Sequence, residues 1–317
     1  MRDWWTATKA ARAERALDPT LPFETELADL RVPSPNGDSV ALGAFSGRDI
    51  VGTAKVWLPR VDNTHMLWGG LQVPPEHRRQ GVGSAVLSAV EQLGRDEGRR
   101  TFMFDVPTRT GEENDGTRFA ASHGYTVANL EQTKGIELPE WAQQWGPFDE
   151  EVAARIGDYR IEVAHGRIPE EYADSYCAAV SRFIGLIPLG DLELEELDWT
   201  ADRLRREEAR RAEVGADQLD ALAIAPDGSV VGVSNLEVFV ADPSRAHVGI
   251  TMVLPGHRGH ALGLGLKLAT HRALLAAHPT CRVVVTGNAN ANEHMNAIND
   301  RLGYRVLEQS IEMQKKL

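Results

Sequence analysis

The sequence repeats itself at a fixed offset, and nothing else in it limits the fold as strongly. Placing VPPEHRRQGVG, from Val73, over VLPGHRGHALG, from Val253, pairs Val73 with Val253, Pro75 with Pro255, His77 with His257, Arg78 with Arg258 and Gly83 with Gly263. Each pair lies 180 positions apart, and Val51-Gly52 meets Val231-Gly232 at the same offset. Further on, His123-Gly124-Tyr125 matches Leu302-Gly303-Tyr304 with one residue deleted. Chance does not hold register this way, so the 317 residues are read as a tandem duplication with domains at 1–145 and 146–317.

Hydrophobic periodicity predicts the same elements in each copy. In the second, residues 172–184 and 199–212 have helical character. Strands follow at 219–225, 230–240 and 246–254, then a helix from Leu262 to Ala277, a strand at 281–286, a helix at 292–302 closed by Gly303, and a last strand at 304–313. The first copy follows suit, with strands at 50–58, 66–73 and 101–106 and helices at 83–97 and 116–123. Residues 139–157, with Trp141, Trp145 and Pro147, read as the connection. The fold class is α/β (α+β), two copies of a domain in which helices flank a sheet.

Composition narrows the partners. There are 46 acidic and 34 basic side chains, a net charge of −12, and no basic stripe of the kind phosphate backbones need, so nucleic acid is excluded. No run of eighteen apolar residues occurs, which argues against a membrane span, and the opening residues do not read as a signal peptide. Two cysteines, Cys177 and Cys281, are too few for a disulfide framework, and the expected compartment is a reducing cytoplasm. The histidines show no metal-ligand spacing with nearby acids, so no metal is expected. Residues 146–200 carry 13 of the acids and only 4 of the bases. Within them, Asp191, Glu193, Glu195, Glu196 and Asp198 form either a field for a cationic ligand or a solvated helix start.

The strand–loop–helix junction that occurs twice carries the chemistry. Arg78-Arg79-Gln80-Gly81-Val82-Gly83 separates a strand from a helix. Glycines there let the backbone approach a ligand, and the helix N-terminus adds unsatisfied N–H donors, an anion cradle. The G-x-x-x-x-G-K-[ST] spacing is absent, and neither Gly81-x-Gly83 nor Gly263-x-Gly265 has a third glycine three residues later, which disfavours Walker and Rossmann sites.

R-x-x-G-x-G between strand and helix, followed by an apolar strand, an Asn-bearing helix and G-[FY], resembles the Gcn5-related N-acetyltransferase (GNAT) superfamily. The whole chain resembles a tandem GNAT protein of actinobacterial type, an architecture similar to that of mycothiol synthase. The resemblance implies two GNAT domains, each with a mixed, mostly antiparallel central sheet. It implies acetyl-CoA as co-substrate, its pyrophosphate on Arg78, Arg79, Gln80, Gly81, Val82, Gly83 and Ser84. The pantetheine would pair with main-chain groups of Leu71 and Val73, in a wedge opened by a bulge between the strands ending at Val73 and Val106. In the second copy it implies Val253, Arg258, Gly259, His260, Leu262, Gly263, Thr286, Asn288, Asn292 and Asn299. Ala261 stands there in place of the first loop glycine. Glu113, Gly116 and Ala120 of the first copy stand where the second has Asn292, Met295 and Asn299. Each copy is strong where the other is weak, and the loop favours the first as the acyl-CoA site.

The implied reaction is transfer of acetyl to an amine, a small molecule that is cationic if the acidic stretch serves it. Direct attack needs a base, and three residues are candidates: Asp105, which interrupts an apolar strand, His65 at a strand start, and His247, read as its counterpart. The tyrosine that many GNAT enzymes use as acid is replaced by Ala120 and Asn299. One catalytic copy beside a degenerate one, or a non-catalytic acyl-CoA binder, are the alternatives. Monomer and homodimer both remain open.

Overall fold

The computed structural model describes residues 1–109 and 111–317. Its elements run α1 (Arg2–Ala11), α2 (Phe23–Asp29), β1 (Gly37–Ser46), β2 (Asp49–Pro59), β3 (Met66–Gln72), α3 (Val82–Asp96), β4 (Thr101–Thr108), α4 (Asp115–Ser122) and β5 (Thr126–Glu137). They continue through α5 (Leu138–Trp141), α6 (Gly146–Arg155), β6 (Arg160–His165), α7 (Ala173–Ser181), α8 (Ala201–Glu213), β7 (Ala216–Ile224), β8 (Val230–Phe239) and β9 (Asp242–Val253). The chain ends with α9 (Leu262–Ala277), β10 (Val283–Ala289), α10 (Glu293–Leu302) and β11 (Arg305–Lys316). Around the loop the repeat survives folding to the residue. A single 3-10 turn spans Pro75–His77 in one copy and Pro255–His257 in the other, and α3 and α9 begin 180 positions apart.

Local chemistry sets several boundaries. Asn114 caps α4 in a capping box with Thr117, and Thr200 caps α8 through the Arg203 N–H. Asn292 caps α10, which ends at Gly303 in the left-handed region at φ 99°.

Two compact units result, and neither is one continuous stretch. The first comprises residues 1–132, 189–194 and 307–317; the second comprises 133–188 and 195–306. In the first the strands run in the order β1-β2-β3-β4-β11, all antiparallel except β3–β4. In the second, the run β10-β9-β8-β7-β6 is antiparallel except for β9–β10. Each is the mixed, mostly antiparallel sheet expected.

A cut at 145/146 does not follow these units. β11, anticipated as the last strand of the second copy, is present, but it pairs with β4 of the first from Gln309↔Thr108 to Lys316↔Thr101. Residues 139–157 are no linker either. Trp145 is wholly buried in the second unit's core with Leu236, Val238, Leu264 and Leu268, and Trp141 packs against that core. Deeply placed aromatic surface of this size is a large part of what holds a small domain together.

The first core lies between β2, β4 and β11 on one side (Ala54, Val56, Phe102, Phe104, Ile311, Met313) and α3 on the other (Val86, Leu87, Val90). The opposite face of that sheet is covered by α1 and α2. Thr8 Oγ1 donates to Thr53 Oγ1 at 2.9 Å, and Lys55 Nζ meets Glu26 at 2.5 Å and Asp29 at 2.9 Å. The second unit repeats this layering, with α9 on one face (Leu264, Leu268, Leu274) and α7 and α8 on the other (Tyr176, Cys177, Val180, Leu204).

Candidate functional site

The parallel strands of each unit come apart where the loop begins. β3 and β4 pair from Met66↔Thr101 to Gly69↔Phe104, although the strands continue to Gln72 and Thr108. β9 and β10 pair from Arg245↔Val283 to His247↔Val285, although they continue to Val253 and Ala289. Each unit therefore carries a wedge of splayed strand whose main-chain groups are not used by its parallel neighbour. The expected bulge belongs to the second unit. There Gly249 and Ile250 together face Asn235, whose Oδ1 accepts the Ile250 N–H at 2.8 Å. In the first unit β2 and β3 stay in register from Thr53↔Gln72 to Trp57↔Trp68, so among the described residues that wedge opens by divergence alone.

Beside each wedge sits the loop. Arg78 Nε donates to the Val73 carbonyl at 3.0 Å, and Arg258 Nε to the Val253 carbonyl at 3.1 Å, so the arginine fixes the loop to the strand end in both copies. The Arg78 guanidinium also meets Glu14 at 3.2 Å, which accounts for part of the charge the motif offers to a phosphate. Two residues per loop are left-handed: Arg79 (φ 61°) and Gly81 (φ 82°) in one, Gly259 (φ 93°) and Ala261 (φ 54°) in the other. Alanine has thus not abolished the cradle. It holds the shape that Gly81 takes freely, at a strain of about 1 kcal/mol. A Cβ on Gly81 would meet nothing within 4 Å.

The second glycine does different work. A Cβ on Gly83 would lie 3.3 Å from the Phe119 ring, and one on Gly263 3.3 Å from Ile298 Cδ1. These glycines let α4 and α10 close on α3 and α9, which was read as approach to a ligand. The first turns of α3 and α9 direct unsatisfied N–H groups outward, as an anion site requires.

Other expected contacts are partly engaged. Gln80 Nε2 donates to the Glu76 carbonyl, and Ser84 Oγ lies 3.1 Å from His123 Nε2. The His260 ring lies against Tyr159 in a tilted contact, with centroids 4.9 Å apart, and the Tyr159 hydroxyl lies 3.0 Å from His257 Nδ1. Leu262 and Thr286 are buried, and the Leu71 side chain packs into the first core. Asn299 is completely buried, its Nδ2 donating to Asn288 Oδ1 at 2.7 Å, and Asn292 is spent as the α10 cap. Asn288 and Asn299 are thus bonded to each other, and Asn292 fixes the start of α10.

Among the candidate bases, Asp105 is in the best position. Phe102 and Phe104 point into the core, so alternation sends Asp105 to the face covered by α1 and α2, at the first β4 residue past the last parallel pair. Its side chain is reached by solvent, yet surrounding protein raises its carboxyl pKa, an effect that Arg15 opposes.

Two further carboxyls are coupled to Asp105. Glu312 stands directly across from Asp105 on β11 and accepts from Asn129 Nδ2 at 2.6 Å. Burial, and then the charge of Asp105, push it to about 7. Glu131, two residues beyond Asn129 on β5, is pushed to about 8 by burial and then by Glu312 and Asp105. Neither was visible in the sequence, because the strand that carries Glu312 was assigned to the other copy.

His65 is a correction. It lies just before β3, roughly 25 Å of strand from the loop end, and its Nε2 sits 3.1 Å from the Glu193 carbonyl. His247 lies at the last parallel pair of the second wedge, where burial and then Arg245 lower its pKa. Two members of the acidic stretch are also engaged. Glu193 pairs with Lys316 at 2.6 Å and accepts from Thr101 Oγ1, while the Asp191 N–H donates to the Ala128 carbonyl, so residues 189–194 strap the first unit's sheet.

In the second unit the face under α7 and α8 holds a cavity of about 130 Å³ lined by Tyr176, Phe183, Trp199, Arg211, Asn235 and Ile250, among others. The first β10 residue past the last parallel pair, the place Asp105 takes in the first unit, is the buried Thr286.

Residues 2–125 match the model of the acetyltransferase (GNAT) family. Over 99% of this chain and 94% of the other, the structure is similar to a tandem GNAT protein from the clavulanic acid biosynthesis pathway, with a TM-score of 0.80 and 24% identity. The protein has a tandem GNAT fold. A GCN5-related N-acetyltransferase from Sphaerobacter thermophilus is similar over 99% of this chain and 91% of its own, at a TM-score of 0.69 and 15% identity. So is a glucosamine N-acetyltransferase region of a fungal multi-domain beta-N-acetylglucosaminidase, at 0.68 and 14%, over 98% of this chain and 36% of its own. No curated protein matches by sequence. Among the described residues no helix is long and apolar enough to cross a membrane.

Proposed function

We propose that the first unit transfers acetyl from acetyl-CoA to a small cationic amine, and that the second unit is a GNAT fold adapted to another role. The observation that carries this is the conjunction, in one unit, of a glycine-relaxed anion loop, a splayed strand pair, and a carboxyl at the first position past the fork. The loop fits a pyrophosphate: Gly81 leaves open space above a helix N-terminus, and main-chain N–H groups from 81 to 84 supply the donors.

Bound acetyl-CoA supplies an activated thioester, and the chain supplies position and proton traffic. N–H groups of the splayed β3 end, near Leu71 to Val73, orient the acetyl carbonyl and stabilise charge on its oxygen. Asp105 accepts a proton from the incoming ammonium so that the amine is free to attack. Its raised pKa brings it closer to the working pH, as a general base requires. Glu131 and Glu312 hold the cation, and their mutual repulsion is relieved when it arrives. With Ala120 at the position of the usual tyrosine, the nitrogen of the adduct releases its second proton to solvent and the leaving thiolate takes one from it. The expected setting is the cytoplasm.

A second reading, a non-catalytic acyl-CoA binder, is favoured by that missing tyrosine. Thiol release from acetyl-CoA, followed with a panel of mono-, di- and polyamines, separates the two. Turnover with a cationic amine that Asp105→Asn removes supports the enzyme. Tight acetyl-CoA binding in calorimetry without turnover of any amine supports the binder.

A further inference from the structure

We propose that the second unit binds a divalent transition-metal ion, Zn²⁺ by its ligand chemistry, through His165, Asp217 and His278. These residues come from the end of β6, the second position of β7 and the residue just after α9, far apart in sequence, which is why no ligand spacing is visible along the chain. His165 Nε2 lies 2.9 and 2.8 Å from the two carboxylate oxygens of Asp217, and His278 Nε2 lies 2.7 Å from Oδ2. All three ligand atoms fall within 4.8 Å of one another.

The ligand set and its approach both suit zinc. Two imidazoles and one carboxylate make a borderline donor set, the kind that takes Zn²⁺ over Mg²⁺ or Ca²⁺. Zn–N and Zn–O bonds of about 2.0–2.2 Å place tetrahedral ligand atoms roughly 3.3 Å apart. The present separations are therefore only about half an ångström short of coordination, a change that side-chain torsions absorb. Both histidines turn the same nitrogen, Nε2, to one point, and His165 is exposed, leaving a fourth position to water.

The backbone around the cluster is already fixed. The Gly166 N–H donates to the Gln218 carbonyl at 2.8 Å, tying the β6 end to β7. The His278 N–H donates to the Leu274 carbonyl at 2.7 Å, and the His278 carbonyl accepts from Cys281. Ligands held on ordered main chain lose little freedom when they bind. Without an ion, two Nε2–H groups share a single carboxylate; with one, the protons leave and the ion bridges all three. The consequence is a clip between the start of the second unit's sheet and the end of the helix whose beginning forms the Arg258–Ala261 loop. This assignment does not depend on which unit transfers acetyl groups.

The test is calorimetric titration of ZnCl₂ into the untagged, chelator-treated full chain, with Co²⁺ absorption as a second readout. One ion per chain is expected, with visible Co²⁺ bands of tetrahedral intensity and a rise in thermal midpoint. Asp217→Asn, which keeps a hydrogen-bond acceptor, and His278→Gln should each weaken binding at least tenfold while far-ultraviolet dichroism stays native. His294→Ala, an exposed histidine elsewhere in the unit, should change nothing. Absence of stoichiometric binding at about 100 μM Zn²⁺, a level far above useful structural-site affinities, overturns the proposal. So does binding that survives both ligand substitutions.

Discussion

The two halves keep the same backbone and differ in what they place on it. Both have the forked parallel strands, the arginine bound to the strand-end carbonyl, two left-handed loop residues and a helix start 180 positions apart. On the face away from that helix they diverge. The first holds Asp105, Glu131 and Glu312 with raised pKa values, while the second has Thr286 as the first residue past its fork and an aromatic-lined cavity. Duplication has preserved the part to which the proposed function assigns the cofactor and released the part to which it assigns the acceptor. Loop geometry is a property of main chain and few side chains, so it withstands drift; an acceptor face is written entirely in side chains.

The sharpest way to break the comparison is to remove the proton acceptor. Asp105→Asn should lower kcat/KM for the amine about 10²- to 10⁴-fold with little change in acetyl-CoA affinity. The reciprocal change, Asn235→Ala in the second unit, should leave turnover intact. Loss of activity in that variant and not in Asp105→Asn would reverse the roles of the halves.

Gly81 tests the cradle. Because a Cβ there has open space, only the backbone resists substitution, and Gly81→Val should weaken acetyl-CoA binding by tenfold or more through αL strain of about 1–2 kcal/mol. Calorimetry that finds wild-type affinity in this variant would move the principal site to the other copy.

Acid–base behaviour should also separate the halves. With Glu312 at about 7 and Glu131 at about 8, cation binding and turnover should rise with pH through that interval. Stability should move the opposite way. Unfolding returns each carboxyl to its ordinary value near 4.5, so the folded chain holds the extra protons between 4.5 and 8. The contribution of these groups is complete below 4.5 and is lost as the pH rises through 7 and 8. Glu131→Gln should flatten both profiles; a pH–rate curve unchanged by that variant would remove these carboxyls from the mechanism.

Much of the fold was legible because it was written twice. The α9 boundaries follow the apolar spacing to the residue, and the repeat offset locates the loops, turns and core strands of one copy from the other. What stayed hidden is what chain order cannot express. β11 continues the second repeat in sequence yet pairs in the first unit, so the meeting of Glu312 with Asp105 needs a register that no local pattern carries. Trp145 looked like linker because Pro147 and glycines flank it, whereas burial of its indole decides its role. His65 and Glu193 looked chemical by residue type and are bonded to each other's neighbourhood at the wrong end of the sheet.

The smallest expected effect addresses the loop where the copies differ least. Ala261 sits at φ 54° and caps α9, the place of Gly81 at φ 82°. Ala261→Gly relieves αL strain of about 1 kcal/mol in the folded state, but it also frees the unfolded chain by a few tenths to 1 kcal/mol. The two nearly cancel in overall stability, so the thermal midpoint should move by only a degree or two. Ligand binding is judged within the folded state, where both terms drop out because Ala261 is already left-handed before a ligand arrives, and what glycine adds is loss of the Cβ, which lets a phosphate come closer to the backbone N–H groups. If the second unit still receives a pyrophosphate, Ala261→Gly should raise its acetyl-CoA affinity severalfold, seen as a second calorimetric step that strengthens while the first stays fixed. If that unit has given up the cofactor, the titration will show one site in both proteins. The strained alanine is then a relic of the duplication, and the resemblance between the halves is one of shape alone.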